Sequence, residues 1–172
     1  GQHEDLIKEF ENLTHRPDFV LEKTMKHKQS INSLIYKIIN ESQKIINSYD
    51  CKVIIQGDAA SSFAVALSAF NEGKEVIHVE AGLRTHNLRS PFPEEGFRKM
   101  ISHISNIHFC PTIKSVENLK NEGITENVHL VGNTIVDSCA QIIEKGESSY
   151  YLNELISSND DYYLCTLHRR EN

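Results

Sequence analysis

Residues 51–58, CKVIIQGD, have the pattern of a short buried strand that ends in a turn. The run is rich in β-branched side chains, and it closes on a Gly-Asp pair, residue types that favour turns. We predict a strand over 51–56 and, after it, a helix over 62–71 with Ser61 as its N-cap. Strand, turn and helix together form the unit from which the rest of the fold is built.

The same unit repeats along the chain. A long amphipathic helix over 30–46 precedes the first strand, and apolar runs of strand length then alternate with helical patterns. The further predicted strands are 75–79, 107–110, 128–131 and 162–167, and the further helices are 94–105, 113–122, 135–144 and, more weakly, 151–157. This order predicts a parallel sheet covered by helices on both faces, the doubly wound α/β class.

Composition narrows the kind of protein. The chain has 172 residues, is 39% hydrophobic and carries a formal charge of −6, so it can bury a core and has no electrostatic reason to bind nucleic acid or an anionic membrane. It contains no run of about 18 apolar residues, and we expect a cytoplasmic protein without a membrane partner. The four cysteines are widely spaced and match neither a CxxC metal site nor a dense disulfide framework, so we expect reduced, mostly buried thiols.

Both ends of the sequence indicate a fragment. It starts at Gly1 without Met and stops at residues 168–172, HRREN, directly after a predicted strand. The pairing and the covering helix of such a strand would normally follow it.

Polar side chains follow the predicted strands, at the edge of the sheet where open α/β proteins bind their ligands. The segments are GD at 57–58, EAGLRT at 80–85, GNT at 132–134 and HRR at 168–170. Carboxylates, an imidazole and guanidinium groups are therefore expected at one edge.

Three acidic residues, Asp58, Glu80 and Glu94, are our candidates for acid and base chemistry. Carboxylates that lie close together push their pKa values apart, so one site can hold both a general acid and a general base. Taken alone, each acid could equally cap a helix or pair with Arg84 or Arg98.

Helix N-termini after 57–61 and after 132–134 could receive a pyrophosphate, together with arginines. The specific GxGxxG and P-loop patterns are absent, and the histidines lack metal-ligand spacing, so we expect no bound metal. His168 lies between a predicted strand and two arginines that would attract an anionic leaving group. The alternative is a loop histidine beside solvated arginines.

Residues 78–85, HVEAGLRT, and 90–98, SPFPEEGFR, resemble the signature of the non-hydrolysing UDP-N-acetylglucosamine 2-epimerases. Further segments agree with that family in order along the chain: GQH at 1–3, GD at 57–58, VGNT at 131–134 with Asp137, and HRREN at 168–172. The resemblance implies two Rossmann-like lobes of the GT-B type with the substrate between them. Residues 1–146 would be the N-terminal lobe without its first βα unit, and 147–172 a connecting helix and the first strand of an otherwise absent second lobe.

The resemblance also implies a reaction that needs no cofactor: interconversion of UDP-GlcNAc and UDP-ManNAc by elimination and re-addition of UDP, for cell-surface polysaccharide precursors. It places Asp58, Glu80, Glu94 and His168 on catalytic positions. Asp58 and Glu94 would exchange the C2 proton, Glu80 would steady the cationic ring, and His168 would assist the departing UDP.

Substrate binding would fall to Gln2, His3, Arg84, Asn133 and Arg169, and the protein would be a homodimer. Three alternatives stay open: a 2-epimerase of another UDP-2-acetamido sugar such as a diacetamido uronic acid, a GT-B-type UDP-sugar glycosyltransferase, and a lobe that binds or assembles without catalysis on its own.

Overall fold

A computed structural model describes residues 17–21, 24, 28–145, 157, 163 and 165. Helices and strands alternate along this part of the chain. The helices are α1 (Ile31–Asn47), α2 (Ala60–Asn71), α3 (Glu94–Ile104), α4 (Ile113–Asn121) and α5 (Thr134–Lys145), and the strands are β1 (Val53–Gln56), β2 (Val76–Val79), β3 (Ile107–Cys110) and β4 (Val128–Leu130). The helix predicted over 151–157 and the strand predicted over 162–167 fall almost wholly outside the described residues.

The four strands form one parallel sheet in the order β1-β2-β3-β4. The predicted α/β class with a parallel sheet is confirmed. Each connection contains a helix, as a parallel crossover requires. The strand order does not reverse among the described strands, so the reversal that marks a doubly wound sheet is not among them.

Helices α1 to α4 cover one face of this sheet. Successive residues of a strand point to opposite faces, and in β1 the side chain of Ile55 is 6% exposed whereas that of Ile54 is 66% exposed. The buried face meets α1, α2 and α3 in one apolar cluster, made of Ile46, Ile55, Ala66, Ala69, Val76 and Ile101. A smaller cluster joins it to α4 through Ala81, Cys110 and Leu119.

Helix α1 is positioned by its cap and by its apolar stripe. The Ser30 side chain accepts a hydrogen bond from the Ser33 N–H and so satisfies one of the free donors of the first turn. Ile38, Ser42 and Ile46 recur at four-residue spacing and are buried, and α1 packs on α2.

Helix α2 begins earlier than the sequence predicts. Its N-cap is Ala59, which makes no side-chain cap bond, so the prediction of Ser61 as N-cap is wrong. The Ser62 hydroxyl instead donates to the Gln56 carbonyl oxygen at 2.6 Å, which ties the first turn of α2 to the end of β1. The first N–H groups of α2 therefore have no side-chain cap, and they lie directly after the Gly57–Asp58 turn.

Helix α5 belongs to a second compact unit, residues 134–172, whereas residues 1–133 form the first. Several of its apolar side chains are exposed, namely Ile135, Val136, Ile142 and Ile143. The predicted domain boundary at residue 146 stays a prediction.

Candidate functional site

The turns that follow β1 and β2 are held side by side by backbone hydrogen bonds that continue past the strands. The Gly57 N–H donates to the Val79 carbonyl at 3.1 Å, and the Ala81 N–H donates to the Phe109 carbonyl at 3.0 Å. Asp58 and Glu80 are thereby brought to neighbouring positions at the carboxyl edge of the sheet. A methyl group on Gly57 would lie 3.5 Å from the Glu80 Oε2 atom.

Both turns use backbone conformations with positive φ. Gly57 has φ +71°, and Glu80 has φ +68°, which is unusual for a residue with a side chain. Such a conformation costs about 1 kcal/mol or more, and it persists only where the surroundings fix it. The outlier at Glu80 coincides with a candidate catalytic position.

A hydrogen bond from the buried His78 side chain also fixes the Gly57–Asp58 turn. The His78 Nε2–H donates to the Gly57 carbonyl oxygen at 3.0 Å, which leaves Nδ1 as a buried acceptor without a partner among the described residues. Burial lowers the pKa of His78 from its ordinary value to about 4. The ring is therefore neutral at physiological pH, and its role here is structural.

His108 lies opposite His78 in the neighbouring strand and is also buried. Burial lowers its pKa as well. Its buried position gives His108 a structural role as well. Among the described residues, no group of three or more His, Cys, Asp or Glu side chains could hold a metal ion.

The Asp58 carboxylate is held by Arg98 of α3. Arg98 Nε donates to Asp58 Oδ2 at 2.8 Å, and Nη2 makes a second, short bond to the same oxygen. The Asp58 side chain keeps 28% of its surface exposed, so it remains open to the edge of the sheet. The alternative that Asp58 pairs with Arg98 is thus observed, and it does not bury the carboxylate.

Glu80 and Glu94 are half-buried and differ from Asp58 in their contacts. Glu94 is the first residue of α3, at the positive end of the helix dipole. Within the described residues, neither carboxylate makes a hydrogen bond or an ion pair. Among the described residues, the site therefore contains one carboxylate oriented by a cation and two without a side-chain partner.

Arg84 is engaged in a different contact from the one predicted. Its guanidinium is fully buried and donates twice to Glu122, at 2.9 Å from Nε and 2.7 Å from Nη2, and also to the Ser102 hydroxyl. The guanidinium lowers the pKa of Glu122. These bonds give Arg84 a structural role, and its predicted role in substrate binding stays a prediction.

The segment that carries Glu80 and Arg84 packs against α4 through Gly82. Gly82 has φ +82°, and an added Cβ would meet the Ser115 carbonyl oxygen at 2.3 Å. The Asn118 side chain donates to the Gly82 carbonyl at 2.9 Å. Only glycine fits at this position, which explains the EAG pattern of the sequence.

Glu95 is the residue of this region that sequence reasoning missed. It is 0% exposed, and its carboxylate accepts bonds from the Thr85 and His86 N–H groups and from Arg98. The available signal was the three-residue spacing of Glu95 and Arg98 on one helix, which favours an ion pair.

The remaining predicted site residues are only partly described. Asn133 is half-buried in the turn between β4 and α5, after Gly132 with φ +84°. Gln2, His3, His168 and Arg169 lie outside the described residues.

In the part of the chain that the structure describes, no helix is both long and apolar enough to cross a membrane.

A parallel α/β sheet with acidic side chains gathered at its carboxyl edge is the arrangement of a ligand-binding lobe. Comparison with known proteins gives the family. The family model described as UDP-N-acetylglucosamine 2-epimerase matches residues 1–172. The chain belongs to the UDP-N-acetylglucosamine 2-epimerase family, as the motifs predict.

Individual relatives match all or most of the chain. The UDP-N-acetylglucosamine 2-epimerase of Campylobacter jejuni is 34% identical, with 100% of this chain and 48% of that protein covered. A crystal structure of a putative UDP-N-acetylglucosamine 2-epimerase from Listeria monocytogenes is 32% identical with a TM-score of 0.82, covering 90% of this chain and 41% of its own.

A Methanocaldococcus jannaschii UDP-GlcNAc 2-epimerase, solved in complex with UDP-GlcNAc and UDP, is 35% identical with a TM-score of 0.78 and covers 92% of this chain and 43% of its own. The chain spans about half the length of the curated relatives it matches.

Gly82 and Gly123 allow a matched test of the packing that supports Glu80. Both have positive φ, but a Cβ on Gly123 would meet nothing within 4 Å. We expect Gly82→Ala to lower the free energy of unfolding by about 2 to 4 kcal/mol, and Gly123→Ala by roughly 1 kcal/mol, because only the first adds a clash to the strained φ. Urea unfolding of the two variants measures the difference, and equal losses would contradict the close approach at Ser115.

The buried His78 predicts that stability depends on pH. Because its folded pKa of about 4 lies below the ordinary value of 6.5, its contribution is full above pH 6.5 and is lost as pH falls towards 4. The loss is on the order of 3 kcal/mol. His78→Gln retains a donor for Gly57 but does not titrate, so its unfolding free energy should fall less steeply over the same pH range. Parallel slopes for parent and variant would show that His78 is not the titrating group.

Proposed function

We propose that the complete polypeptide containing these residues is a UDP-N-acetylglucosamine 2-epimerase that interconverts UDP-GlcNAc and UDP-ManNAc. The observation that carries the proposal is the set of carboxylates at the carboxyl edge of the sheet, Asp58, Glu80 and Glu94, in a chain of this family. The complex of the Methanocaldococcus jannaschii relative with UDP-GlcNAc and UDP supports the choice of a UDP-sugar as substrate.

The chemistry requires a proton to leave and return at C2 of the sugar. A base takes the C2 proton, the C1–O bond breaks, and UDP departs with the electron pair, which leaves a 2-acetamidoglucal with a C1–C2 double bond. A proton is then delivered to the opposite face of C2, and the UDP oxygen attacks C1 again. The C2 proton is weakly acidic, so breaking of the C1–O bond, with positive charge developing on the ring, supplies much of the activation.

The described carboxylates suit these steps. Asp58 and Glu94 are assigned to the two proton transfers. Arg98 holds Asp58, whereas Glu94 has no side-chain partner among the described residues, so their environments differ. Glu80, close to the Gly57 backbone, is assigned to the developing positive charge on the ring. His168 is assigned to the departing UDP, and Asn133, Gln2, His3 and Arg169 to substrate binding, by family resemblance alone.

A diphosphate could be received at the N-terminus of α2. Its first N–H groups have no side-chain cap, and they follow Asp58 directly. By the same resemblance we propose a cytoplasmic homodimer that serves the synthesis of a cell-surface polysaccharide, and a second lobe that completes the cleft.

The proposal is tested by proton NMR of UDP-GlcNAc in D2O with the complete polypeptide. We expect loss of the C2 proton signal together with a new UDP-ManNAc anomeric signal. Asp58→Asn should slow both by about 10²- to 10⁴-fold, because the variant lacks a proton-transferring carboxylate.

Asp50→Asn is the matched control, since Asp50 is a fully exposed aspartate that forms a long ion pair with Lys74, at 3.9 Å. This control should exchange at the parent rate. An unchanged C2 signal with the parent would exclude UDP-GlcNAc epimerisation and leave another UDP-sugar or a glycosyl transfer.

A further inference from the structure

Glu95 is a buried carboxylate that the reaction proposed above does not use. Its side chain is 0% exposed, one helical position after the candidate Glu94. A buried charge is costly unless it is paired and hydrogen-bonded, so a carboxylate in this position needs a structural or functional reason.

Both oxygens of Glu95 are occupied. Oε1 accepts from the His86 N–H at 3.1 Å, and Oε2 accepts from the Thr85 N–H at 3.0 Å and from Arg98 Nη1 at 3.3 Å. The carboxylate therefore links the loop after β2 to α3, and it does so beside the cation that holds Asp58.

Arg98 lies between two carboxylates. One of its terminal nitrogens meets Glu95, whereas Nε and the other terminal nitrogen meet Asp58 Oδ2. Because the guanidinium is planar and rigid, a bond that fixes one nitrogen also fixes the directions of the others. The Arg98 side chain is 12% exposed, so water competes little for these bonds.

We propose that Glu95 is a positioning residue for proton exchange at C2, acting through Arg98 on the Asp58 carboxylate. The inference rests on the proposed function, because it assigns the purpose of the arrangement to catalysis. The competing explanation is that Glu95 only anchors the backbone at Thr85 and His86, with no effect on Asp58.

A double-mutant cycle separates these explanations in the complete polypeptide. Glu95→Gln should lower kcat by roughly 10- to 100-fold, the cost of a small misplacement of a catalytic group, and change KM by less than about threefold. Adding Glu95→Gln to Arg98→Ala should cost little more than Arg98→Ala alone, since the route through Arg98 is already broken. If the fold-losses in kcat of the two single variants multiply in the double variant, the two residues act independently and the proposal is overturned.

Glu122→Gln is the matched structural control. It weakens the other buried arginine contact, that of Arg84, and does not touch Arg98. It should lower the unfolding temperature but lower kcat much less than Glu95→Gln does, because it leaves the bonds of Arg98 to Asp58 in place. Glu95→Asp replaces Glu95→Gln if the latter does not fold. It keeps the negative charge and both acceptor oxygens on a side chain that is one methylene shorter, and the same cycle with Arg98→Ala then applies.

A second measurement does not depend on turnover. In protein labelled with ¹⁵N at arginine Nε, the Arg98 Nε–H signal, assigned with Arg98→Lys, should exchange slowly with water in the parent and in Glu122→Gln, and at least 10-fold faster in Glu95→Gln. If Glu95→Gln loses this protection but the parent does not epimerise UDP-GlcNAc, the proposed function is refuted and the positioning of Arg98 by Glu95 is retained. Unchanged protection in Glu95→Gln would refute the positioning itself.

Discussion

The parallel hydrogen bonding of β1, β2 and β3 is the constraint on which the candidate site depends. It continues beyond the strands, through the bonds from the Gly57 N–H to Val79 and from the Ala81 N–H to Phe109. Residues that are distant in the sequence are thereby placed next to each other. Asp58 and Glu80 owe their proximity to this register, and a shift of one residue would send their side chains to other positions.

The two buried arginine–carboxylate contacts near this edge have different roles. Arg84 and Glu122 form an ion pair that fixes the EAGLRT segment on α3 and α4, and Lys99 joins it at 3.3 Å from Glu122. Arg98 is shared between the buried Glu95 and the half-exposed Asp58, so it connects the interior to the open edge. The first contact stabilises the scaffold, and the second fixes the direction of the Asp58 carboxylate.

Most of the fold followed from periodicity, because the strands are short β-branched runs and the helices have clear apolar stripes. The start of α2 was not predicted correctly from the sequence. The N-cap is Ala59 rather than Ser61, and the Ser62 hydroxyl donates to the Gln56 carbonyl oxygen. The sequence selected Asp58, Glu80 and Glu94, but it left Arg84 and Arg98 as equal candidates for pairing with these acids. Which arginine is buried against which acid depends on contacts between residues as much as 40 positions apart, and these are not encoded in local pattern.

The central claim is that the sugar is processed at the edge defined by Asp58, Glu80 and Glu94. A crystal structure of the complete polypeptide with UDP-GlcNAc tests it most directly. We expect the C2 carbon of the sugar to lie within about 4 Å of the Asp58 or Glu94 carboxylate, with Arg98 still bonded to Asp58. A sugar ring bound away from all three carboxylates, with its diphosphate in their place, would contradict the account.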